Sequence, residues 1–114
     1  MSVARFRKIA LSLPDAIEGA HQGTTDFRVA KRIFATLGYP DRDWGMVKLT
    51  VEQQTMLVDA EPEIFRPVPG GWGKGGATNV RLAEADATTL KSALTMAWKN
   101  IAEKSQAPRA RKKA

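Results

Sequence analysis

The chain contains no cysteine and a single histidine, His21. The first absence removes disulfide cross-links, thiol nucleophiles, Cys-ligated zinc and iron–sulfur clusters, and the second removes any multi-histidine zinc site. No metal and no cofactor is therefore expected. Long apolar runs are missing too: charge-free stretches such as Ser92 to Trp98, between Lys91 and Lys99, fall far short of the ~20 residues of a membrane helix. Ile9 to Leu13 follows Arg5, Arg7 and Lys8 but is closed by Pro14-Asp15, too short for a signal-peptide core. These absences point to the cytoplasm and to no membrane partner. No G-x-S-x-G or similar nucleophile pattern occurs, so a catalytic role is not expected and the protein reads as a non-enzyme.

What remains suits one soluble globular domain: 114 residues, of which 43% are hydrophobic, 26% charged and 7% aromatic. Folding at this length removes roughly two-thirds of the extended chain's surface from water, enough for a core without covalent or metal staples. The formal charge of +6 is unevenly placed. Lys104, Arg109, Arg111, Lys112 and Lys113 follow Glu103 with no acid among them, whereas residues 1–103 hold 13 basic and 12 acidic side chains. The segment 104–114 also lacks any large apolar residue, so it cannot offset its ordering entropy and is expected to be a disordered basic tail on a domain of residues 1–103.

Val3, Phe6, Ile9, Ala10 and Leu13 recur at helical spacing, which predicts an amphipathic helix over Ser2 to Leu13, ended by Pro14. Ala20 to Thr25 reads as a polar loop. Phe27 and Val29 alternate with Arg28, and Arg32 to Leu37 is rich in strand formers, so the pair predicts an antiparallel hairpin with Ala30-Lys31 as its turn. After the turn formers Gly38-Tyr39-Pro40-Asp41-Arg42-Asp43, Trp44 to Leu49 extends the meander by a third strand. Thr50-Val51-Glu52-Gln53 carries a capping-box pattern and starts a helix from Val51 to about Ala60.

Pro67-Val68-Pro69 suits only an edge strand or a linker, because proline gives a ladder no donor. Gly70 to Gly76 reads as a loop and Thr78 to Leu82 as a strand. Asp86 then caps a helix from Ala87 to Lys104, along which Leu90, Ala93, Leu94, Ala97, Trp98 and Ile101 form one apolar stripe. The result is a single-domain α+β fold: one antiparallel sheet packed with N-terminal, middle and C-terminal helices.

Three patterns invite chemical readings. Gly71, Gly73 and Gly76 match G-x-G-x-x-G, but prolines spoil the strand before them and a strand follows, so no helix N-terminus receives a pyrophosphate. Asp41-x-Asp43 opens like a calcium loop, yet Gly45 and Met46 stand where an oxygen ligand and the turn glycine are required. Glu18 lies three residues from His21 and could tune the imidazole, but a catalytic pair needs a nucleophile that is absent. Trp44, Trp98, Phe6 and Phe34 read as core or sheet-covering side chains.

Lys31 and Arg32 at a hairpin tip, Arg28 beside them, and Lys74 in the glycine segment could instead grip a phosphate backbone. Trp72 would stack on a base there, and Arg109, Arg111, Lys112 and Lys113 would add attraction from the tail. A different set, His21, Lys48 and Trp72, would suit a small-ligand pocket.

Leu11-Ser12-Leu13-Pro14, Glu18-Gly19-Ala20-His21, Asp26-Phe27-Arg28-Val29, Ile33-Phe34-Ala35, Met46-Val47-Lys48-Leu49, Phe65-Arg66-Pro67-Val68, Trp72-Gly73 and Asn79-Val80-Arg81-Leu82 stand in this order before a final helix with Ala97-Trp98. That order resembles the MmcQ/YjbR family over about residues 3–103. The resemblance implies an α+β fold similar to secretion chaperones and a DNA-binding role attributed to two projecting wings. The chain departs from the family pattern in having Ala30-Lys31-Arg32 where the hairpin tip usually carries glycine, and in a longer glycine segment. The leading expectation is a non-enzymatic DNA-binding protein of weak sequence preference, monomeric rather than dimeric. The alternatives are a chaperone-like module with a protein partner, or a small-ligand-binding domain.

Overall fold

The computed structural model describes residues 2–38 and 41–113, with side chains as far as residue 104. Its first helix, α1 (Val3–Ser12), starts where the Ser2 hydroxyl accepts the Arg5 N–H, and it buries Phe6 and Ala10. Four antiparallel strands follow: β1 (Ile17–His21), β2 (Thr24–Val29), β3 (Arg32–Leu37) and β4 (Trp44–Lys48). Helix α2 (Val51–Ala60) carries the complete capping box, Thr50 accepting the Gln53 N–H at 3.1 Å and Gln53 accepting the Thr50 N–H at 3.0 Å. Then come β5 (Phe65–Pro67), the single turn α3 (Gly71–Lys74), β6 (Ala77–Arg81) and the long helix α4 (Ala87–Lys113), capped by the Asp86 carboxylate at the Thr89 N–H.

The six strands form one sheet in the order β1-β2-β3-β4-β6-β5, every neighbouring pair antiparallel. This is the α+β architecture the periodicity predicts. Proline explains why β5 lies at an edge: Pro67 has no N–H to offer an outer neighbour. Both hairpin turns, Gln22-Gly23 and Ala30-Lys31, place two successive residues at positive φ, as two-residue turns compatible with strand twist require.

Phe27, Phe34, Ala35, Val47, Phe65 and Val80 meet Phe6, Leu90, Leu94 and Ala97 in one core on the helix-bearing face of the sheet. Phe6 packs against Phe27 with centroids 5.9 Å apart. Gly45 sits beneath the Phe6 ring so closely that an added Cβ would fall 2.6 Å from a ring carbon. Phe6 and Phe34 are thus the core aromatics expected, while Trp98 lies at the core margin with its indole N–H donated to the Pro14 carbonyl at 2.9 Å. Trp44 lies outside the core cluster.

Two expectations change. Residues 17–21 form a strand where the sequence reads as a loop from Ala20 to Thr25; as an edge strand exposed along most of its length, β1 has no apolar alternation to display. The glycine segment is not a plain loop but contains α3, held by Gln54, whose side-chain N–H groups donate to the Gly73 and Ala77 carbonyls at 2.9 Å each. The backbone of α4 runs as helix to Lys113. The tail side chains, and Tyr39-Pro40 of the turn before β4, lie outside the described residues.

Candidate nucleic-acid interface

Register decides which cations meet. The β2–β3 turn, the C-terminal end of β4 and the N-terminal end of β6 lie at one end of the sheet, because Val29 pairs with Arg32, Ala35 with Val47, and Lys48 with Ala77. Helix α4 passes the same end, where Asn100 donates its amide N–H to the Lys48 carbonyl at 3.1 Å and to Gln53 Oε1 at 2.7 Å. The outcome is a surface recess of about 420 Å³ lined by Arg28, Lys31, Arg32, Ile33, Lys48, Ile101 and Lys104. Five of these seven side chains are cationic and none is acidic.

Arg28 differs from the other four. Its guanidinium is bidentate on Asp26, with Nε donating to Oδ1 at 2.7 Å and Nη2 to Oδ2 at 3.0 Å. Asp26 is fully buried and also takes His21 Nδ1 at 2.8 Å. The Arg28 hydrogen bonds hold the Asp26 carboxyl below the usual aspartate range against the opposing effect of burial, with His21 helping, and Asp26 in turn raises Arg28. Arg28 is thus an organising residue whose charge is largely matched within the fold. Lys31, Arg32, Lys48 and Lys104 have no carboxylate partner among the described residues.

A second, smaller recess of about 200 Å³ adjoins through Lys48 and is lined by Lys48, Leu49, Gly71, Trp72, Gly75 and Ala77. Lys48 Nζ stands 5.2 Å from the Trp72 ring centroid, and the indole is 62% exposed, a cation–π contact on an otherwise open ring. Gly73 and Gly76 fix this corner, since an added Cβ would fall 1.7 Å from the Val68 carbonyl oxygen and 2.0 Å from that of Leu49.

Most of the expected phosphate-contacting residues therefore share one end of the molecule. Lys31, Arg32 and Arg28 line the larger recess, Trp72 lies across Lys48, and exposed Lys74 closes α3 without lining either recess. The side chains of Arg109, Arg111, Lys112 and Lys113 lie outside the described residues. The ligand-pocket set is split: Lys48 and Trp72 touch, whereas His21 lines neither recess and is tied to Asp26. Glu18, expected beside His21, pairs with Arg7 instead. The β1–β2 register places Gly19 opposite Asp26, so His21, two residues along, reaches that carboxylate from the same face. Lys104 enters the site from α4, a juxtaposition with no local sequence signal. No group of side chains suited to a metal ion occurs among the described residues, and none of their helices is long and apolar enough to cross a membrane.

Residues 11–100 match the family model for YjbR. The chain belongs to the YjbR family. Among solved structures, the crystal structure of Deinococcus radiodurans protein DR2400, described as a DUF419 domain, is similar to it with a TM-score of 0.77 and 19% identity. The match covers 91% of this chain and 80% of that one, and at this identity it shows a shared fold. No curated protein matches. The YjbR fold thus provides the sheet end on which the basic recess is assembled.

Proposed function

We propose that this YjbR-family protein is a non-enzymatic DNA-binding protein that holds the phosphate backbone in the recess between the β2–β3 turn and α4. The observation that carries the reading is the convergence of Lys31, Arg32, Lys48 and Lys104 from three elements into one recess without an acid. Cations so placed are matched best by a polyanion, whose condensed counterions are released on binding. Arg109, Arg111, Lys112 and Lys113 follow Lys104 in the sequence after four uncharged residues, and add further attraction for a polyanion. Exposed Trp72 adds a surface on which an unpaired or flipped base would stack. These contacts reach phosphate and ring faces rather than base edges, so sequence preference is weak.

The test is fluorescence anisotropy of labelled duplex DNA with the full chain and with Lys31→Gln/Arg32→Gln/Lys48→Gln, at about 50 and 200 mM salt. The reading expects affinity to fall steeply with salt, and the triple variant to bind more weakly with a log–log slope shallower by about 2.7. Equal binding by the triple variant, or affinity indifferent to salt, overturns it.

A further inference from the structure

The other end of the sheet carries a second cationic cluster that the recess does not use. Trp44 on β4 is approached by two guanidinium groups, Arg81 from β6 at 5.0 Å and Arg66 from β5 at 5.1 Å from the ring centroid. Trp44 and Arg81 are registered partners. Arg66 is registered opposite Asn79, which is opposite Met46. This row alternates with Val47, Val80 and Phe65 of the core, so it lies on the sheet face turned away from that core.

Three observations make the cluster a site rather than a packing detail. Neither Arg66 nor Arg81 has a carboxylate partner or a side-chain hydrogen bond among the described residues, so two like charges are gathered with their N–H edges unspent. Both guanidiniums lie over the Trp44 ring at cation–π distance, which restrains them and limits the entropy lost when they bind a ligand. Asn79, registered opposite Arg66 and two positions before Arg81 on β6, adds to the same face an amide that makes no side-chain hydrogen bond among the described residues and is not sealed from solvent.

We propose that Arg66, Arg81 and Asn79, with Trp44 as the positioning residue, form an oxyanion site that takes a phosphate group. One carboxylate would answer one guanidinium, whereas a phosphate monoester of about −1.5 to −2 charge answers both and offers three acceptor oxygens to the forks and the amide. The group comes either from the backbone of a bound nucleic acid or from a free phosphorylated molecule. The site does not depend on the recess at the opposite end of the sheet.

The test follows the indole N–H resonances of the 15N-labelled full chain while inorganic phosphate, pyrophosphate or a 12-nucleotide single strand is added. Trp98 is the internal control, because its indole N–H is already donated to the Pro14 carbonyl. Saturable movement of the Trp44 resonance by pyrophosphate, lost or weakened roughly ten-fold in Arg66→Gln/Arg81→Gln and kept in Lys31→Gln/Arg32→Gln, supports the site. Movement of Trp44 by the oligonucleotide as well assigns the phosphate to a nucleic-acid backbone; movement by pyrophosphate alone assigns it to a free phosphorylated molecule. An unmoved Trp44 with all three probes, or an equal response in Arg66→Gln/Arg81→Gln with the rest of its spectrum unchanged, overturns the proposal. Loss of DNA binding by the recess variant with an intact Trp44 response supports a site that stands apart from the recess.

Discussion

Ala30 and Lys31 hold φ values of 52° and 67°, a left-handed region that costs a residue with a Cβ about 1–2 kcal/mol. Lys31→Gly should therefore stabilise the fold by about 1 kcal/mol after glycine's own entropy loss is counted, raising the thermal midpoint by about 4–8 °C. The same change removes a recess cation and should weaken DNA binding, so a melting curve and an anisotropy titration should move in opposite senses. Asp26 supplies the second residue-scale prediction. Its folded pKa lies below the unfolded value, chiefly because of Arg28, so the folded state binds fewer protons. That stabilisation is complete above about pH 4 and is lost as pH falls through the folded pKa. Asp26→Asn should destabilise the protein by about 1–3 kcal/mol at pH 7, the cost being held down because Arg28 and His21 both reach water. It should also flatten the acid limb of stability against pH in urea unfolding; an unchanged acid limb would show that the carboxylate's pairing carries no stability.

At the scale of elements, helix α4 and the α3 corner make opposite demands on side-chain size. Leu94 is fully buried under the sheet, and Leu94→Ala should cost about 2–5 kcal/mol in denaturant unfolding, with the spread set by how far the cavity collapses. Gly76 sits at φ +113° against the Leu49 carbonyl, so Gly76→Ala should cost at least about 2 kcal/mol and release Trp72 from Lys48, seen as a change in tryptophan emission. Helices α1, α2 and α4 and strands β2, β3, β4 and β6 were legible because periodicity and caps are local: Thr50 and Gln53 meet across three residues. Strand β1 was not legible, since Ile17 to His21 is held by its partner and not by any pattern of its own. The short turn α3 was hidden for a similar reason, because glycine-rich Gly71 to Lys74 has poor helix propensity and is fixed by Gln54, seventeen or more residues away.

For the whole molecule, charge placement matters more than total charge. Residues 1–103 are nearly neutral, and the excess of cations lies after Glu103. Replacing Arg109, Arg111, Lys112 and Lys113 by Gln should make the log–log salt slope on duplex DNA shallower by about 3.6 if each contacts one phosphate. Residual binding by that variant would then measure the recess alone, and a slope that does not change would place those four charges off the DNA.

The sequence by itself determined the α+β class, the helix boundaries set by caps and prolines, the hairpin turn at Ala30-Lys31 and the family, because each rests on residues close in the chain or on an ordered set of short motifs. It also marked Lys31 and Arg32, at a hairpin turn that local chemistry predicts, and Trp72 as an aromatic in a glycine-rich segment. Only the tertiary structure decided which charges meet. His21 found Asp26 rather than Glu18, Lys48 joined Lys104 across 55 intervening positions of chain, and Trp44 gathered Arg66 and Arg81 from two other strands. Strand register and helix docking set those encounters, and register is fixed by burial of the apolar face as a whole rather than by any single residue.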